Sequence, residues 1–89
     1  MVSDFFRLYI ETMDYRDGVA YYAFIDGVPA RQVTNVGHLW LSSRRDHHPA
    51  VGPLLTDQLL QPGEFSEGDR TTAEEFEEAW RRAIEQEEV

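Results

Sequence analysis

Hydrophobic and polar positions change their period along this chain, from two in the first half to between three and four in the last fifth. Residues 4–12 alternate, with Phe6, Leu8 and Ile10 on one side and Phe5, Arg7, Tyr9 and Glu11 on the other, which is the period of a strand. Asp14-Tyr15-Arg16-Asp17-Gly18 reads as a turn, and residues 19–25 (Val-Ala-Tyr-Tyr-Ala-Phe-Ile) are apolar and rich in β-favouring side chains. Asp26-Gly27 ahead of Val28-Pro29 marks a second turn. Arg31 to Val36 and His38 to Ser42 follow as short strands separated by Gly37. Short connections favour neighbouring strands, so residues 4–42 are expected to form a four-stranded antiparallel meander.

Residues 71–86 carry the helical period. Phe76, Ala79, Trp80, Ala83 and Ile84 fall on one stripe, and Thr72 with Glu75, or Thr71 with Glu74, supplies a capping box. Glu77 with Arg81 and Glu78 with Arg82 stand four apart in the favourable order. Glu85, Glu87 and Glu88 lie at the negative end of the helix dipole, which predicts a frayed last turn. Phe76 and Trp80 are expected to anchor the helix on Phe6, Leu8, Ile10, Val33 and Trp40, with a cost of about 3–5 kcal/mol for Trp80→Ala if the indole is buried.

Between these halves, residues 43–70 are punctuated by Pro49, Pro53, Pro62, Gly52, Gly63 and Gly68. Leu54-Leu55-Thr56-Asp57-Gln58-Leu59-Leu60 interrupts the punctuation, and the expectation is a short helix near 54–60 that docks on the sheet. The whole reads as one α+β domain over 1–89, since 89 residues leave no room for a second core. Both faces of the sheet are apolar, yet there is only one full helix to cover them. The second face is covered by the leucine segment, by a second copy of the protein, or by a ligand or partner on an aromatic patch of Phe5, Tyr9, Tyr22 and Phe24.

The charge is concentrated in one region. From Glu64 to Val89 ten acidic residues face three arginines, which accounts for −7 of the net −9. Such a surface repels nucleic acid and selects basic partners. Arg44-Arg45, with Arg31 in reach, is the only basic spot and is expected to pair with the protein's own acids. There is no cysteine, no run near the ~20 apolar residues of a membrane span, and no signal-peptide pattern at Met1-Val2-Ser3-Asp4. A cytoplasmic location is expected.

Candidate chemistry is sparse. Asp46-His47-His48 with His38 is the one metal-like group, but adjacent side chains point apart and the string precedes a proline; no metal or cofactor is expected. Ser42 and Ser43 lack the glycines of a nucleophile elbow, and no phosphate loop is present. The chain is therefore read as a non-catalytic module of inhibitor or immunity type. It would bind a basic protein through Glu74, Glu75, Glu77, Glu78 and Glu85. The alternatives are a small-molecule binder or minor enzyme on the aromatic face, and a homodimerisation domain.

The order of landmarks resembles a family of small bacterial domains of unknown function. The resemblance rests on the aromatic strand (Tyr21, Tyr22, Ile25, Asp26), the Arg31-x-Val33 strand, the glycine-led fourth strand and the Thr72-Ala-Glu-Glu-Phe76-Glu-Glu-Ala-Trp80 helix. It spans about residues 6–84, implies the meander-plus-helix fold and a bacterial or phage origin, and brings no activity with it.

Overall fold

A computed structural model of the chain describes residues 2–11, 17–44, 47–48, 52–55, 65 and 67–87. Strands β1 (Ser3–Glu11), β2 (Asp17–Ile25), β3 (Val28–Val36) and β4 (Leu39–Ser42) pair antiparallel in chain order. Helix α1 (Ala73–Glu87) packs on one face. This is the α+β meander-plus-helix that the periodicity predicts.

Local chemistry explains the connections. Ile25 pairs directly with Val28, so Asp26-Gly27 is a two-residue hairpin loop, and both residues take positive φ (51° and 79°) as a type I′ turn requires. Asp26 also holds the N-terminal strand, donating from its amide to the Val2 carbonyl (2.7 Å) and accepting from the Val2 amide (2.7 Å). A bulge between Ala23 and Phe24 shifts the β2–β3 register by one residue.

Register decides which aromatic meets the helix. Phe5 lies beside Ala23 and Arg31, and Arg7 beside Tyr21, Val33 and Ser42, so these residues share the helix face. The core there is Ala23, Val33, Phe76, Ala79 and Ala83, flanked by Phe5, Tyr21, Trp40 and Trp80. Ala79 and Ala83 let the helix backbone approach the sheet, while Phe76 meets Phe5 at 5.5 Å between ring centroids. The expected anchoring on Phe6, Leu8 and Ile10 is thus corrected to Phe5, because those three project to the opposite face. Val33 and Trp40 lie where expected.

On that second face the ring of Phe65 stacks on Phe6 (4.3 Å) and contacts Tyr22 (5.5 Å) and Phe24 (5.8 Å). Leu54, from the same connection, is fully buried. The segment between sheet and helix therefore contributes a cover for the second face, chiefly through an aromatic that the leucine pattern drew attention away from. The short helix expected near 54–60 is not seen where it can be checked: β6 (Gly52–Pro53) pairs with β5 (His47–His48), and Leu54-Leu55 form a bend. Residues 56–60 lie outside the described residues. A single 3-10 turn, Glu67–Asp69, leads to an isolated bridge between Arg70 and Phe6 and then to the helix.

Candidate partner-binding face

The acidic helix starts where its capping chemistry puts it. The Thr72 carbonyl accepts the first helical bond from Phe76 (3.1 Å) and its Oγ1 accepts from the Glu75 amide (3.1 Å), which makes Thr72 the N-cap. The Glu75 carboxylate turns away from the cap. It accepts from Thr71 Oγ1 (2.6 Å) and from Arg7 Nη1 of β1 (2.7 Å). One residue thereby closes the first turn and ties it to the sheet.

The five glutamates of the expected binding face have different surroundings. Glu75 is held by Arg7, and Glu77 by the Arg31 guanidinium, which reaches across from β3 in a two-pronged contact. Glu78 pairs with Arg82 (3.3 Å) and Arg81 (3.5 Å), and Glu85 with Arg81 (2.9 Å). Among the described residues Glu74 makes no ion pair. The expected Glu78–Arg82 pair is present, whereas Glu77–Arg81 gives way to Glu77–Arg31. Arg31 is better placed for that contact, since it lies over the rings of Phe76 (4.9 Å) and Trp80 (5.2 Å). Its hydrogen bond lowers the Glu77 carboxyl below the usual glutamate range.

The carboxylates are interrupted by apolar surface. Glu74, Glu77, Glu78, Trp80, Arg81, Ile84 and Glu85 line an open groove of about 650 Å³, with Trp80 and Ile84 both half-buried. A smaller groove, about 300 Å³, lies between helix and sheet and is lined by Tyr21, Trp40, Glu75, Glu78, Ala79 and Arg82. There Tyr21 stacks on Trp40 at 6.3 Å, and Arg82 sits 5.4 Å over the Trp40 ring. Burial, followed by the charge of Glu75, raises the Tyr21 hydroxyl above its ordinary range. The Tyr21 hydroxyl is thus moved up and the Glu77 carboxyl down.

The expected aromatic face is divided by the register. Phe5 and Tyr9 are on the helix side, where Phe5 packs on Phe76 and Tyr9 is 86% exposed. Tyr22 and Phe24 are on the other side, with Phe6 and Phe65. The β1–β2 pairing sum is even (5 with 23), so odd positions of both strands share one face and even positions the other, which alternation within each strand alone does not disclose.

Of the metal-like group, His38 is exposed and its backbone carbonyl is bonded by Gln86. The backbone of His47 and His48 forms β5, and Asp46 lies outside the described residues. Among the described residues no three His, Asp or Glu side chains are arranged to hold an ion. Among the described residues no helix is long and apolar enough to cross a membrane.

Sequence reasoning missed the other end of the helix. Gln86 and Glu87 continue α1 through the turn expected to fray, because both side chains bond to β4. Gln86 Oε1 accepts from the Trp40 amide (2.7 Å), and Glu87 Oε1 accepts from the Ser42 amide (3.0 Å) and Ser42 Oγ (2.7 Å). Tertiary bonds outweigh an unfavourable dipole term of a few tenths of a kcal/mol.

Comparison with known proteins gives no match: no family model, curated protein or solved structure aligns with this chain.

Proposed function

We propose that the chain is a non-catalytic protein-binding module that engages a basic partner through the outer face of α1. One observation carries this reading: half-buried Trp80 and Ile84 lie in an open groove rimmed by Glu74, Glu77, Glu78 and Glu85. Apolar surface supplies affinity, and surrounding carboxylates supply orientation and selection against acidic partners. Glu75 and Glu77 are fastened to arginines of the sheet, so the binding set is weighted toward Glu74, Glu78 and Glu85. That distribution favours a cationic segment with an apolar anchor over a phosphate-like array of evenly free carboxylates.

The test is capture of partners from the source organism on the immobilised chain, with a Glu74→Arg/Glu85→Arg variant as control. The expected result is a basic protein retained by the native chain, released by salt, and lost with the variant while its helix signal persists. Equal retention by the two chains overturns the proposal. An inhibitor or immunity role follows if the captured protein is an effector whose activity the chain suppresses.

A further inference from the structure

The groove on the outer face of α1 sets an aromatic ring among carboxylates. Side chains of a helix lean toward its N-terminus, so the Trp80 ring lies back over the turn of Phe76 and Glu77, with 6.3 Å between its centroid and that of Phe76. Ile84, one turn on, extends the apolar floor. Four glutamates and one arginine line the groove, a formal charge of −3. Glu77 is taken by Arg31, Glu78 by Arg81 and Arg82, and Glu85 by Arg81. Among the described residues Glu74 is left without an ion pair, one turn before Glu77 and Glu78.

The fold itself shows what a ring beside a carboxylate takes. The Arg31 guanidinium lies over Trp80 at 5.2 Å and bonds to Glu77. Arg82 lies over Trp40 at 5.4 Å and bonds to Glu78 at 3.3 Å. Arg70 lies over Phe6 at 5.0 Å and bonds to Asp4 at 3.0 Å. Each time a flat cation covers the ring while its N–H groups reach the acid.

We propose that the groove takes an arginine side chain of the partner, its stem along Ile84 and its guanidinium between the Trp80 ring and Glu74. This rests on the binding role given to α1 and names the residue that fills it. Arginine supplies both things the groove asks for, an apolar stem for the floor and a delocalised, weakly hydrated charge for the rim. A lysine has the stem and the charge, but its compact, strongly hydrated ammonium does not lie flat on a ring and bond an acid with two prongs. A second copy of the chain would set −3 against −3. A metal ion needs three or more converging donors, and no such group exists among the described residues.

Hexaarginine and hexalysine amides carry equal charge, so titrating each into the full chain at low ionic strength separates stacking from simple attraction. The readout is the indole N–H resonance of Trp80, told from that of Trp40 by its loss in Trp80→Leu. Hexaarginine is expected to shift that resonance and to bind about fivefold or more tighter than hexalysine. Trp80→Leu should bring the two affinities together, and Glu74→Gln should weaken hexaarginine about threefold or more. Glu74 is exposed, so Glu74→Gln carries the test if circular dichroism shows that Trp80→Leu has disturbed the fold. Equal affinity for the two peptides, with Trp80 shifted by both, overturns the arginine assignment and leaves the basic-partner reading standing. A preference for arginine that survives Trp80→Leu overturns it too. So does a Trp80 resonance that neither peptide moves, and partner capture then judges the role of α1 on its own.

Discussion

The carboxamide of Gln86 bonds to the Trp40 strand as a neighbouring peptide group would: its oxygen accepts from the Trp40 amide at 2.7 Å while its nitrogen donates to the His38 carbonyl at 2.8 Å. Glu87 repeats the acceptor half one step along, at Ser42. Two side chains at a helix end thereby occupy an edge that would otherwise be open to other chains. Gln86→Ala is expected to cost about 0.5–1.5 kcal/mol, and Glu87→Ala about 1–3 kcal/mol because it strands buried Ser42. Exchange at the Trp40 and Ser42 amides is expected to accelerate, and unchanged protection would show that the bonds contribute nothing.

Phe76 and Trp80 are expected to differ as anchors. Phe76 is fully buried, so Phe76→Ala should cost about 3–5 kcal/mol, enough to unfold much of so small a domain. Trp80 is only half-buried beneath Arg31, so Trp80→Ala should cost about 1–3 kcal/mol. Urea denaturation of the two variants side by side checks the order, and a larger loss at Trp80 would contradict the packing described.

Removing the Phe65 ring should open the second face of the sheet. Phe65→Ala is expected to cost about 1–3 kcal/mol and to expose Phe6, Tyr22 and Phe24 while leaving the helix intact. Increased binding of a hydrophobic dye at unchanged helical signal is the expected readout. A silent substitution would mean that the face is covered by something else.

Alkaline titration should resolve Tyr21. Its hydroxyl is raised by burial and by Glu75, so the folded chain keeps that proton after the unfolded chain has released it. The associated stability is fully present below the ordinary tyrosine value near 10 and is lost as pH rises through the higher folded value. Absorbance titration should show a late-ionising tyrosine that Tyr21→Phe removes. A titration unchanged by that substitution would place the late proton elsewhere.

The strand order and the helix were legible because each rests on one element's own period: alternation across Phe6, Leu8 and Ile10, and a stripe through Phe76, Ala79 and Ala83. What period alone left open was pairing between elements. Phe5 and Phe6 are both aromatic and adjacent, and only the register with Ala23 and Tyr22 tells which meets the helix. Arg31 could have been placed earlier, since it shares the helix-side face with Val33 two residues on. Phe65 gave a fainter signal, a lone large aromatic among Pro62, Gly63, Glu64 and Ser66, where a purely solvated loop has little use for one. Gln86 and Glu87 gave none, because a strand's outward amides leave no mark in its own sequence.

The bonds that close β4 also set an order of events during synthesis. Trp40 and Gln86 are separated by 46 residues, and Ser42 and Glu87 by 45. At about 5–20 residues per second the ribosome takes roughly 2–9 s to make that stretch. Hairpins form in about 1–10 μs, so the meander can pair long before its guard exists. The strands of the meander are thus made seconds before both the residues that close β4 and the Phe76, Ala79 and Ala83 that complete the core on its helix side.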